Sequence, residues 1–441
     1  MSSWRTIGVF TIVLAAAHCA HADPTYTLAE QAGVDDCFHI TLDMTLSGEM
    51  RIKKDTKTDS IKLEAKAQHD FNERVLLTTG SMPSKVARVY SLAHADITRG
   101  SDRDEHTLRK DRKLFVAQRQ RDQHTTYSPT GPLLRDELDL TNDHLDTLAL
   151  TGLLPKSEVK IGETWKVSNE VVQALCGFEG LINQKLEGKL EDVNDNTAKV
   201  SVKGTVTGID VGATVKMTVD ATCQVDLQAH RLVRIEWKTD DEREQGPVSP
   251  ASTMTTTTTV KRESIKQPDG LSNVALVGVP EGLDVPASLT QLSHQDPDGR
   301  FELNYNRDWQ IVAQTKDHLV LRLMDQGDFV CQATITPWKS AGKGQHMSPT
   351  RFRDVIESTP GWDVEKEVEA GEVQGAIKEG WAYHISALGH LDGAPVLQNC
   401  YLLATPDGDQ TVVLFTLHPK QADKLGGRDL SLVGGLDFPR K

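Results

Sequence analysis

The chain has 441 residues, 38% of them apolar, a net charge of −14 and six cysteines. This length accommodates two or three domains, each with a core of its own. The acidic balance repels phosphate backbones and excludes nucleic acid as an expected partner.

The opening MSSWRTIGVFTIVLAAAHCAHA sets one charge, Arg5, before an apolar run from Ile7 to Ala17 and the small-x-small end Ala20-His21-Ala22. That is the pattern of a secretory signal, too short to span a bilayer as a helix. His18 directly precedes Cys19 and disfavours lipidation there, so cleavage is expected between Ala22 and Asp23. The chain is expected to be exported, periplasmic or secreted. Beyond the signal no apolar stretch is long enough to predict a transmembrane helix. Cys37, Cys176, Cys223, Cys331 and Cys400 include no CxxC pair and predict no thiolate metal site.

Residues 38–46, FHITLDMTL, alternate strictly, with Phe38, Ile40, Leu42, Met44 and Leu46 on one side and polar residues on the other. This predicts a strand with one buried face. Ile61, Leu63, Ala65 and Ala67 repeat the pattern, and further strands are predicted near 86–98 and 105–118. Over 132–155 the leucines shift to helical or mixed spacing, which predicts a helix ending by Pro155. A second short helix is predicted over 169–178, capped by Ser168 or Asn169.

Alternation returns at 214–227, with Val215, Met217, Val219, Ala221, Cys223, Val225 and Leu227 facing inward. The Thr-rich 253–263 reads as a strand because β-branched threonines suit a pleated surface. Residues 30–265 therefore predict a large antiparallel β-sheet, curved and open-barrel-like, with two covering helices on its apolar face. Cys176 falls on the second helix and Cys223 on an inward strand face, so a disulfide between them would pin the cover shut. The spacing leaves the pairing of the five cysteines open.

The segment 266–299 carries four prolines and no sustained period, and reads as a linker. A second domain is expected over 300–441. Its strands begin at FELNYNRDWQIV, followed by HLVLRLMD and FVCQATITPW, a helix capped by Ser348 with Pro349 in its first turn, and strands at 363–374, 380–390 and 396–404. TVVLFTLHP is apolar on both faces, as a central strand should be, and Leu425, Leu430, Val433 and Leu436 predict a closing helix. The expected architecture is an α/β/α sandwich with an antiparallel sheet, and the fold class of the whole chain is α+β.

With Phe301, Tyr305 and Trp309 at its start, the segment from about 295 to 439 resembles PsbP-like domains. The resemblance implies an accessory protein of an envelope or photosynthetic membrane and transfers no catalytic residue. The N-terminal half resembles LolA-like carriers in architecture alone, which implies a sheet that shields lipid.

Chemistry-bearing motifs are sparse. The chain has no GxSxG, no HExxH and no glycine-rich phosphate loop opening a helix. Ser340 to Lys343 matches Ser-x-x-Lys but sits in a Gly/Lys loop, and Asp296, Asp298, Gly299 and Glu302 make only a fragment of a calcium loop. His384 and His390 share one predicted strand face, which reads as solvated rather than metal-binding. Arg109 to Lys113, with Arg119 and Arg121, form a basic patch that nearby acids neutralise. No catalytic, cofactor-binding or metal residue is expected. Two functional readings remain. One is a non-catalytic exported binding or accessory protein that takes an apolar small molecule, a lipid or an envelope protein; the other is a hydrolase whose site assembles only in three dimensions.

Overall fold

The protein, described here from a computed structural model, is defined over residues 24–439 apart from 55–56, 122 and 143–144. The expected cleavage point between Ala22 and Asp23 lies outside the described residues.

The chain opens with three long strands, β1 (Cys37–Lys54), β2 (Lys57–Thr79) and β3 (Met82–Arg99), and three shorter ones, β4 (Asp102–Thr107), β5 (Leu114–Gln120) and β6 (Gln123–Tyr127). A cover follows, of β7 (Leu133–Leu134), helix α1 (Arg135–Thr141), a 3-10 turn at Leu150–Leu153 and helix α2 (Asn169–Leu175), interrupted by the short sheet-edge strand β8 (Thr164–Lys166). The chain then returns to the sheet through β9 (Gly180–Gln184), β10 (Glu187–Asn194), β11 (Thr197–Asp210), β12 (Ala213–Asp226), β13 (Arg231–Arg243) and β14 (Ala251–Ser264).

These strands form one thirteen-stranded sheet of order β6-β5-β3-β2-β1-β14-β13-β12-β11-β10-β8, with β4 on β3 and β9 on β11. Its closing pair joins the first and last strands, Phe38 opposite Ser264 and Leu42 opposite Val260. The two edges, β6 and β8, do not meet, so the sheet is open and forms no barrel.

The second half contains helix α3 (Ala287–Thr290), β15 (Leu292–Gln295), β16 (Glu302–Tyr305), β17 (Trp309–Gln314), β18 (Leu319–Asp325), β19 (Asp328–Trp338) and helix α4 (Pro349–Glu357). It continues with β20 (Trp362–Glu372), β21 (Trp381–Leu391), β22 (Ala394–Ala404), β23 (Gln410–Leu417), helices α5 (Ala422–Leu425) and α6 (Arg428–Gly434), and β24 (Leu436–Asp437). Seven strands make an antiparallel sheet of order β17-β18-β19-β23-β22-β21-β20. Two of its hairpins turn on Gln326-Gly327 and Asp392-Gly393, both residues of each pair at positive φ, the twist that tight two-residue turns require.

The α+β expectation is corrected. The chain is mostly β, 55% strand against 12% helix, and neither an α+β fold with two covering helices nor an α/β/α sandwich describes it. Over 132–155 the leucines do not make a long helix. Helix α1 stops after seven residues, where the Thr141 hydroxyl donates to the carbonyl of Glu137. Leu145, Leu148, Leu150, Leu153 and Leu154 are nonetheless buried, from turns and a 3-10 segment. Spacing reported that these leucines face inward; it did not distinguish a helix from an irregular layer of the same polarity.

Residues 266–299 lie strapped along the large sheet. The buried Lys85 ammonium donates to the carbonyls of Pro280 and Gly282, and Arg74 Nη1 donates to the Leu271 carbonyl at 2.7 Å. β15 then pairs in parallel with β7 and antiparallel with β16, in a small sheet β24-β16-β15-β7. One continuous apolar core runs from Leu28 through both large sheets to Leu436.

Candidate functional site

Alternation gives the large sheet a polar outer face and an apolar inner face. Near the start of β1 the inner face is filled: Phe38, Ile40, Leu42, Val225, Cys223 and Ala221 pack in one core with Leu138, Leu148, Leu153, Val171 and Val172 of the cover. An ion-paired network fixes that cover. Arg88 Nε donates to Glu73 Oε2 at 2.9 Å, its Nη2 to Thr147 Oγ1 at 2.8 Å, and the Thr147 hydroxyl to Glu73 at 2.6 Å. Arg119 adds an ion pair to the buried Asp146.

Toward the far end of the same strands the cover ends, and the inner face becomes partly exposed at Leu46, Met50, Ile61, Leu63, Ile97 and Met217. The register aligns them. Leu63 faces Gly48, Gly48 faces Met254, Met254 faces Asp241 and Asp241 faces Met217, one row across β2, β1, β14, β13 and β12. Gly48 has no room for a side chain, because a Cβ there would run into the Thr253 carbonyl and Met254. Methionine suits such a surface because its flexible thioether repacks around irregular apolar shapes.

Asp241 is the anomaly in this row. Burial pushes its carboxyl up to about 6, opposed by Arg243 and helped by Asp240 and Asp210. Arg243 is engaged elsewhere, donating to Asp210 Oδ2 at 2.5 Å, and Asp241 has no ion pair among the described residues. A carboxyl held above its unfolded value binds its proton more tightly in the folded state. Its contribution to stability is therefore full at low pH and is lost as pH rises through about 6. Asp241→Asn is expected to leave stability nearly unchanged at pH 4 and to raise it by about 1 kcal/mol at pH 7.5, allowing for solvent screening. Urea midpoints at the two pH values check this; a variant equally or less stable at pH 7.5 contradicts the assignment.

The other residues that the sequence singled out are held in local contacts. Cys37, Cys176, Cys223, Cys331 and Cys400 are all free thiols, and no bridge joins Cys176 to Cys223. Burial pushes both of those thiols up to about 12, which leaves them unreactive at neutral pH. Asp296 accepts three hydrogen bonds from Arg300, so the calcium-like fragment is a turn closed on its own arginine. Ser340 donates to the Gly408 carbonyl. Arg109 pairs with Glu137 at 2.6 Å and Arg112 with Asp111 at 2.7 Å, within the basic patch. His384 and His390 stand six residues apart on β21, about 20 Å at the rise of a strand, too far to share an ion. No group of three potential ligands for a metal occurs among the described residues.

The second sheet holds a polar chain that sequence reading did not assemble. Ser386 donates to Asn399 Oδ1 at 2.9 Å, while Asn399 Nδ2 and the Tyr401 hydroxyl both donate to Asp429 Oδ2, at 2.9 and 3.0 Å. His384 stacks on Tyr401 with ring centroids 4.5 Å apart. The serine hydroxyl is committed to an amide rather than to a base, so the chain ties α6 to the sheet and does not constitute a nucleophile.

No helix among the described residues is long and apolar enough to cross a membrane. Compared with known proteins, residues 148–231 match the model of a family of unknown function, DUF6263. No curated protein matches the chain. Among solved structures, lipovitellin, reported for its lipid–protein interactions, is similar at 7% identity and TM-score 0.32, over 54% of this chain and 26% of its own. The chain thus spans about a quarter of that protein's length. Cyanobacterial PsbP (CyanoP) from Synechocystis sp. PCC 6803 is similar at 12% identity and TM-score 0.25, over 36% of this chain and 96% of its own. A PsbP protein is thus among the similar solved structures, at a low TM-score.

Proposed function

We propose that this is an exported, non-catalytic binding protein that shelters an apolar small molecule or lipid on the uncovered end of its large sheet. The observation that carries the reading is the row Leu63–Gly48–Met254–Asp241–Met217. It is continuous with the apolar inner face, yet the cover that fills the rest of that face stops short of it. Met254 in the row is buried and Leu63, Gly48, Asp241 and Met217 are half-buried, and an apolar stretch carrying one polar group suits a small apolar ligand. Removal of the signal between Ala22 and Asp23, an exported location, and a division into 30–265 and 300–441 joined by 266–299 complete the reading.

The test is native mass spectrometry of mature protein purified without detergent, followed by organic extraction. The expected result is a stoichiometric apolar adduct that Leu63→Glu loses while remaining folded by circular dichroism. An unliganded mass, together with no uptake of an added long-chain fatty acid, overturns the reading.

A further inference from the structure

At the opposite end of the large sheet, β12, β13 and β14 border a depression of about 530 Å³. Four cations line it, Arg231, Arg234, Lys261 and Arg262, in a protein whose net charge is −14. Two of them are spoken for. Arg262 is held against Glu30 at 3.1 Å, and Arg231 against Asp36 at 2.9 Å, both over the Phe38 ring. The lining carboxylate of Asp226 is likewise engaged, accepting from Asn196 Nδ2 and from the backbone N–H groups of Gln228 and Ala229. Glu263, the remaining acid of the lining, has no ion pair among the described residues and lies opposite His39 in the register.

Arg234 and Lys261 are different. The register sets them directly opposite one another on the outer face, and neither forms an ion pair among the described residues. Like charges directly across a ladder repel and destabilise the pairing. Gln224 stands opposite Arg234 on the other side, so amide, guanidinium and ammonium form one row across three adjacent strands. Strands lie about 4.8 Å apart, which makes the row roughly 10 Å wide. That width spans two linked phosphate groups, and a guanidinium offers its fork to a phosphate face while the ammonium acts as a point charge.

We infer that Gln224, Arg234 and Lys261 form a binding site for a phosphate-type oxyanion, either a free diphosphate or a phospholipid headgroup. The site suits a compact anion rather than a polyanion, because the row is roughly 10 Å wide and the protein's net charge of −14 opposes an extended phosphate backbone. The two like charges face one another in the free protein, and a bound anion screens their repulsion.

The experiment has three arms. Inorganic pyrophosphate is added to the full protein at low ionic strength and the thermal midpoint followed. It is expected to rise with concentration, and Arg234→Gln combined with Lys261→Gln is expected to weaken the apparent affinity at least tenfold. Lys216→Gln, on the same outer face at the far end of β12, is expected to leave it unchanged. Without any anion, Lys261→Gln alone is expected to raise the midpoint, because it removes one of two repelling charges. Cosedimentation with vesicles of phosphatidylglycerol in phosphatidylcholine, against phosphatidylcholine alone, identifies the source: retention lost in the double variant assigns a headgroup, and no retention assigns a free anion. The site is overturned if neither pyrophosphate nor anionic vesicles bind. It is equally overturned if the double variant binds as well as the native chain, or if Lys261→Gln lowers the midpoint in the absence of anion. The apolar row at the other end of the sheet is untouched by these variants, so the two proposals stand or fall separately.

Discussion

Arg88→Met is expected to destabilise the protein by about 3–5 kcal/mol, the cost of leaving a buried charge without its partner. The Arg88 side chain is fully buried and that of Glu73 is 3% exposed, so water cannot replace the lost guanidinium. The substitution keeps a similar apolar volume, and the loss therefore comes from Glu73 rather than from a cavity. Thr147, which bridges the two, belongs to the cover, so the variant also loosens the cover over the inner face. Urea unfolding of Arg88→Met, Glu73→Gln and the double variant checks the account. The double variant is expected to recover much of the loss, because removing both charges leaves no orphan. A single-variant loss below about 1 kcal/mol, or a double variant with strictly additive losses, contradicts it.

Phe415→Ala is expected to cost about 3–5 kcal/mol, the range for truncating a fully buried aromatic. Phe415 lies on β23 in the middle of the seven-stranded sheet and meets two rings edge-on, Trp309 at 5.9 Å and Tyr401 at 5.7 Å between centroids. Both rings are themselves buried, so the void cannot be relieved by rotation toward solvent. Thermal unfolding measures the loss, and a red shift of tryptophan emission is expected as water reaches Trp309. A drop in stability of less than 1 kcal/mol would mean that the sheet closes over the void. If the 30–265 and 300–441 regions unfold as separate units, a two-step melt will show the loss in one step alone.

Much of the strand content was legible because alternation in a half-buried strand is a local property. Phe38, Ile40, Leu42 and Met44 announce a buried face from their own spacing, and each is buried. The cover was legible in polarity and misread in shape. Leucines at mixed spacing over 132–155 signal burial, but helix formation there is cut short by a threonine that bonds back to the helix and by the turns that follow. The candidate sites were hidden for a different reason. Asp241 lies 193 residues from Gly48 and 178 from Leu63 in the chain, and it joins their row only through the pairing of β1 with β14 and of β14 with β13. Arg234 and Lys261 similarly look like two ordinary surface cations until the register sets them face to face.

By itself, the sequence determined which residues turn inward, the β character of the N-terminal half and the acidic balance, since periodicity and composition act through neighbours a few positions away. Only the tertiary structure decided where the inner face is covered and where it stays open. It alone decided which buried charge meets which partner and which carboxyl is stranded among methionines. Those outcomes depend on contacts across strands that are distant in the chain, and desolvation and charge pairing are properties of the assembled neighbourhood rather than of any one segment.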